Sequence, residues 1–468
     1  AAAEADAAAA VPRAKLPPGE WAKKNLFNTV GNSIITVVIV VVAALAAWQA
    51  IRYLVNADYT ILHDTLRIFM IGQFPNDELW RLWASGVILA ATVGLVAGSV
   101  GRNAADRAIE QGLPPRISSH LEILHRFWAI IAVLLLFASL ARTWPPRIGV
   151  VAVILLVFLA RQVGLMLPAA IRRRMMYIGA LLVIASMLVV AGASGLGGLC
   201  VGAVVFVWLV AELGHRHLTG RAGTVVRFAV PLAAALIAWL IVWRIPFDGY
   251  GWKDWGGLHV NLFTAVVGIA LGLPFGILLA LGRRSRLPVI KSASVLYIEF
   301  VRGVPLISLL LFSGLLLPFF LPIDFDRPTD LTLAIVVIMG FSAAYIAEIV
   351  RGGLQAVPTG QSEAAQALGL SPGSQQRLIV LPQALRAVIP AMVGQFISLL
   401  KDTTLLTVIG ILEFLQAATV ATNQPQFLGK SDLPALVLLF VAVGFWAFCY
   451  TMSKESRRLE RRLGVGTR

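Results

Sequence analysis

The chain has 468 residues, 58% of them hydrophobic and 13% charged, where soluble domains run at roughly 45–50% and about 25%. With a mean hydropathy of +0.83, this excludes an ordinary soluble domain or a disordered chain and indicates an integral membrane protein. The net charge of +15 does not call for nucleic acid, because Lys and Arg collect in the cytoplasmic loops of membrane proteins. The two cysteines, Cys200 and Cys449, both fall in apolar runs, which argues against a disulfide framework or a thiolate metal cluster.

Residues 1–29 lack the basic-then-apolar order of a secretory signal and are expected to form a disordered cytoplasmic tail. Each membrane span needs about 20 apolar residues to cross about 30 Å of hydrocarbon. Residues 30–101 supply runs at 30–48 and 82–100, separated by a polar segment, 52–81, whose Trp80 and Trp83 suit an interfacial belt. Residues 102–259 hold further runs at 127–140, 148–167, 177–193, 196–213 and 225–243. Residues 260–453 add runs at 262–281, 305–321, 331–350, from about 388, and 433–452, and 454–468 form a basic tail. The fold expected is therefore all-α, with about twelve transmembrane helices.

Arg172, Arg173 and Arg174, then Arg283, Arg284, Arg286 and Lys291, then Lys454, Arg457, Arg458, Arg461 and Arg462 fall in alternate loops. This places both termini in the cytoplasm. The run from Val388 to Ala421 is too long for one crossing and too short for two; one crossing followed by a short helix at the outer rim is expected, with Lys401 to Thr404 near the change.

Between the runs ending at Val350 and starting near Val388 lies a polar interruption, TGQSEAAQALGLSPGSQQRLIVLPQALRAVIP, from Thr359 to Pro390. Glu363, Ala364 and Ala365 open a helix that Gly369 would cap, and Ser371 with Pro372 starts a second helix that Pro382 is expected to close. The spacing Glu363-Ala364-Ala365, Gly369, Ile379, Leu381, Pro382 resembles the EAA signature of permease subunits of bacterial ABC importers. The segments around AAYIAEIVRGGLQAVPTGQ and FISLLKDTTLL are similar to the polar amino-acid branch, in particular to the general L-amino-acid permeases.

That resemblance implies a C-terminal five-helix type I importer core over 260–453, with a cytoplasmic coupling helix that docks on an ABC ATPase dimer. It also implies a second permease subunit, a paralogue, and a periplasmic or surface amino-acid-binding protein in a bacterial inner membrane. ATP and Mg would be bound by the ATPase and not by this chain, which has no GxxxxGK[ST] loop. The apolar runs of 102–259 exceed what the family pattern needs.

Charged residues inside apolar runs are costly unless they face a cavity or partner. Lys401 and Asp402 are adjacent on a helix and point about 100° apart, so they suit the carboxylate and ammonium of an amino acid; Thr403 and Thr404 add hydroxyls, and Arg302 is a further carboxylate partner. Glu348 with Arg351 reads as an internal ion pair, and Glu413 as a periplasmic contact. No nucleophile elbow, HExxH helix or histidine ligand spacing beyond His215-x-His217 is present, so neither catalysis nor a metal is expected. The reading is an ATP-driven importer subunit for polar L-amino acids. Its alternatives are an ion-coupled secondary transporter using Lys401 and Asp402, and a permease carrying a separable lipid- or partner-binding module.

Overall fold

A computed structural model describes residues 17–190, 255–320 and 329–463. The runs at 196–213 and 225–243, Cys200, His215 and His217 lie outside the described residues. By Cα packing the chain divides into residues 1–59 and 60–468, a boundary at neither end of the expected 30–101 segment. In the first unit a short helix, α1 (Pro18–Asn25), precedes a long apolar one, α2 (Val30–Asn56), which Thr29 caps by accepting from the Asn32 N–H.

The second unit begins with α3 (Thr60–Ile71), inside the segment expected to be a polar connection. Ile61, Leu62, Leu66 and Phe69 are buried along one helical stripe while His63, Asp64 and Arg67 occupy the other side. The net polarity of the segment conceals a 3.6-residue period. Then come α4 (Leu79–Glu110), α5 (His120–Arg126), α6 (Trp128–Leu140), α7 (Trp144–Met166) and α8 (Ala169–Val190). After the undescribed stretch follow α9 (Gly257–Arg283), α10 (Pro288–Gly303), α11 (Leu306–Leu311), α12 (Asp330–Ala356), α13 (Thr359–Ala367), α14 (Pro372–Gln375), α15 (Leu381–Asp402), α16 (Phe414–Thr422) and α17 (Leu433–Leu463).

Among the described residues seven helices are long and apolar enough to cross a membrane, and nine if two bent pairs each count as one span. The pairs are α5 with α6, bent by 76°, and α10 with α11 and its continuation, bent by 103°. The second bend falls at Val304, whose extended backbone is what a residue before proline favours. A tenth expected run coincides with α8.

Glycines set the closest helix contacts. Gly268, Gly272 and Gly276 recur every fourth residue on α9; a Cβ there would stand 3.0 Å from Ile338 Cγ2, 3.2 Å from Met339 O and 2.8 Å from Ala343 O of α12. Gly94 and Gly98 of α4 face α7 in the same way, meeting Val157 O at 2.4 Å and Arg161 O at 2.2 Å. Small residues at this spacing let backbones approach where lipid offers no hydrophobic drive between helices.

The segment 102–259 is not merely appended. Phe137 of α6 packs on Phe440 of α17 with ring centroids 4.4 Å apart, and Phe69 of α3 on the same ring at 5.0 Å, with Phe414 of α16 beside them. At the α5–α6 bend, Arg126 donates through Nε to Glu455 of α17 at 2.7 Å and through a second nitrogen to its other oxygen. A deletion of 103–221 would therefore strip aromatic and ionic partners from α16 and α17, which counts against a separable module.

Candidate functional site

The polar interruption folds as a short elbow between two spans. Val357 is extended before Pro358, which breaks α12 and lets α13 start. Gly369 has φ +73°, a conformation that costs a residue with a Cβ about 1–2 kcal/mol. It allows Gly369 N–H to donate to Gln366 O at 2.9 Å and Leu370 N–H to Ala365 O at 3.1 Å, closing α13 with a Schellman cap. Ser371 then caps α14, accepting from Ser374 N–H at 3.4 Å.

Pro382 does not close the second helix. Gln376–Val380 forms a π turn in which Leu381 N–H reaches Gln376 O, and Pro382 lies in the first turn of α15. There its missing N–H costs nothing, so the elbow runs directly into a long helix. Glu363, Ala364 and Pro382 are exposed, Ile379 and Leu381 are half-buried, and Ala365 is buried. Leu368 and Leu378 project at 79% and 64% exposure, so the elbow exposes two large apolar side chains as well as the Glu363 carboxylate. Gln383 of α15 donates to Gln361 of α13 at 3.2 Å and ties the two helices together.

Lys401 and Asp402 end α15. They lie 19 residues beyond Pro382, about 28 Å along the axis, so the elbow and this charged pair occupy opposite ends of one helix. Lys401 is exposed, Asp402 is half-buried, and among the described residues neither side chain forms a hydrogen bond or ion pair. Thr404 donates to Lys401 O at 2.8 Å. Thr403 is fully buried; its hydroxyl donates to Leu400 O at 2.7 Å and accepts from Asn261 Nδ2 at 3.0 Å, so it faces the protein and not a cavity.

Asn261 anchors this end. Its Nδ2 also donates to Glu413 Oε2 at 3.1 Å, and its Oδ1 accepts from Phe414 N–H at 2.9 Å. Glu413 is fully buried, not a periplasmic surface contact. It caps α16, accepting from Leu415 N–H at 2.8 Å and Gln416 N–H at 2.6 Å. Burial pushes its carboxyl up, opposed by these backbone donors and by Asn261. Nearby, Gly257 (φ +59°) donates its N–H to Leu412 O at 2.7 Å. Between α15 and α16 the chain makes a 3₁₀ segment, Thr403–Ile409, and turns at Gly410 (φ +83°). One crossing and a nine-residue helix, too short to span, agree with the expected course.

Arg302 is not alone in a cavity. Glu348 of α12 gathers Arg283 of α9 at 2.8 Å, Arg302 of α10 at 3.4 Å and Arg351 at 2.9 Å, and Arg283 also meets Glu299 at 2.9 Å. The expected Glu348–Arg351 pair is thus the centre of a cluster of three guanidiniums and two carboxylates. Arg302 also lies over the Tyr345 ring at 5.7 Å. This cluster clamps α9, α10 and α12 about 12 Å from where α12 enters the elbow.

Asn261 was beyond sequence reasoning, since nothing in its neighbours marks a residue that binds partners 142 and 152 positions away. The fourfold glycine spacing of α9 was a readable signal for close packing on another helix.

The family described as "Binding-protein-dependent transport system inner membrane component" matches residues 272–464. The inner membrane amino-acid ABC transporter permease protein YhdY of Escherichia coli (strain K12) is 45% identical over 240 residues, covering 50% of this chain and 64% of its own. The glutamate/glutamine/aspartate/asparagine transport system permease protein BztC of Rhodobacter capsulatus is 45% identical over 237 residues, 50% of this chain and 53% of its own. The chain thus spans less than two thirds of these two relatives. It covers 92% of the probable glutamine ABC transporter permease protein GlnP of Bacillus subtilis (strain 168), at 34% identity over 209 residues. A solved amino acid ABC transporter with histidines is 30% identical, with 44% of this chain and 92% of that one covered at a TM-score of 0.39.

Proposed function

This chain belongs to the family of binding-protein-dependent transport system inner membrane components, and on that premise we propose that it is the permease subunit of an ATP-driven importer of polar L-amino acids. One observation carries the reading. The complete EAA spacing folds as two short helices that turn at Gly369, the second of which runs without a break into a helix that ends at Lys401 and Asp402.

The elbow is the docking point for a separate ATPase that binds ATP and Mg; exposed Glu363, Leu368 and Leu378 offer it one carboxylate and an apolar pair. α12 and α15 both enter the elbow, so its displacement moves two packed helices as rigid bodies. About 28 Å away, Lys401 and Asp402 form no side-chain hydrogen bond or ion pair among the described residues, and a zwitterionic amino acid supplies the complementary pair. Thr404 lies beside them, while Thr403 holds the helix end in place. Arg302 is a substrate contact only if a carboxylate competes for it with Glu348. The remaining partners are a second permease, a paralogue, and an amino-acid-binding protein on the outer side. Both termini and the elbow face the cytoplasm, following the Lys and Arg bias.

The test is uptake of labelled polar amino acids into proteoliposomes. Transport should need this chain together with its second permease, ATPase, binding protein and ATP. Transport by this chain alone under a proton or sodium gradient would replace the proposal with an ion-coupled carrier.

A further inference from the structure

Arg161 lies within the apolar helix α7 and is 6% exposed. Its guanidinium donates to Ser118 O and stands 3.3 Å from Nδ1 of His120. Both partners are neutral acceptors, and among the described residues no carboxylate pairs with it. A cation held this way inside a span keeps its charge uncompensated. Because Arg161 donates to Nδ1, the His120 tautomer carries its proton on Nε2, and the exposed imidazole presents that N–H outward.

The His120 ring packs edge-on against Phe158 at 5.8 Å. His120, Leu155 and Phe158 line both of two adjoining apolar grooves, of about 630 and about 350 Å³. Leu159 extends one groove, and Ile131 and Val151 the other. Val151 precedes Arg161 by ten residues, about 15 Å along α7, which is half of the roughly 30 Å hydrocarbon thickness. The second groove therefore reaches from His120, which stands against the buried cation, to Val151, about one leaflet deep. At the same end Arg116, Arg173 and Arg174 are exposed, Arg116 3.7 Å from Glu122 at 87% side-chain exposure, and Arg172 bonds Asn103 and Asp106 near the end of α4.

We propose that this two-lobed groove binds one anionic phospholipid. A phosphate oxygen accepts from His120 Nε2, with Arg161 behind it and Arg116 flanking, and one acyl chain lies in each lobe. The basic rim selects an anionic headgroup over a zwitterionic one. The segment beyond the family pattern thereby acquires a ligand independent of the transport path.

The proposal is tested by native mass spectrometry of the full chain in mild detergent, loaded with phosphatidylglycerol or with phosphatidylcholine of the same chain length. One phosphatidylglycerol should be retained per chain, about tenfold in preference to phosphatidylcholine. Arg161→Gln should abolish the preference. Leu155→Trp, at a position 62% exposed and so free of a folding role, should abolish retention by filling the groove. Equal retention of the two lipids, or retention unchanged in Leu155→Trp, would overturn the proposal. So would a Leu155→Cys chain whose thiol cross-links in native membranes to a second polypeptide, since a protein would then occupy the groove.

Discussion

Gly369 separates two reasons why a coupling elbow would need glycine. A Cβ built there meets no atom within 4 Å, so within this chain substitution causes no clash; what remains is the φ of +73°. Alanine in that conformation costs about 1–2 kcal/mol, valine more because it is β-branched, and asparagine less because it tolerates left-handed backbone. The strain falls on the two Schellman bonds of a nine-residue helix, shorter than the about 12–15 residues at which an isolated helix becomes marginal. One to two kcal/mol is a factor of about 5–30 in the population of the capped elbow. ATP-driven uptake in proteoliposomes, corrected for protein inserted, should therefore fall in the order Gly369, Gly369→Asn, Gly369→Ala, Gly369→Val, with alanine down by about 5–30-fold. If asparagine is as inactive as alanine, the glycine is needed for close approach by the partner and not for its backbone. Wild-type uptake by Gly369→Val would refute the assignment of the elbow as the driven element.

Glu363→Lys should leave insertion intact, because the side chain is exposed, and abolish uptake and co-purification of the ATPase. Lys401→Gln and Asp402→Asn should each raise the substrate concentration for half-maximal uptake by tenfold or more, with the thermal unfolding midpoint unchanged, since neither side chain forms a hydrogen bond or ion pair among the described residues; an unfolding shift with normal uptake would assign them to structure. Asn261→Ala should do the reverse, lowering stability by about 2–4 kcal/mol in thermal or denaturant unfolding. It orphans the buried Phe414 N–H at about 1–3 kcal/mol and removes a charge-assisted bond to Glu413. A loss under about 0.5 kcal/mol would show that the knot is replaceable by water.

The elbow was legible because its punctuation is local: Gly369 and the Ser371-Pro372 pair each act within a few residues. Pro382 was not, since the same letter serves as a helix stop and as a first-turn residue, and a π turn leaves no compositional trace. α3 escaped because its apolar stripe covers only 12 residues and is interrupted by His63, Asp64 and Arg67, too short and broken for the run of about 20 that marks a span. Thr403 sits in a segment that suggests a polar pathway, yet its hydroxyl is claimed by Asn261, a contact of long sequence separation. The span from 388 to 421 was resolved by length alone, because a helix of nine residues cannot cross.

The π turn at Gln376–Val380 also acts as a phase setting. It carries one residue more than an α turn would, and in an α-helix each residue advances the side chains by about 100°. Removing that residue would leave every bond of α13 and α15 available but rotate one end against the other by roughly a quarter turn. The α14 end would then face a different direction relative to the Lys401–Asp402 end. The bulge is a clocking device that fixes how the two ends of one helical rod, α14 and Lys401–Asp402, face relative to each other.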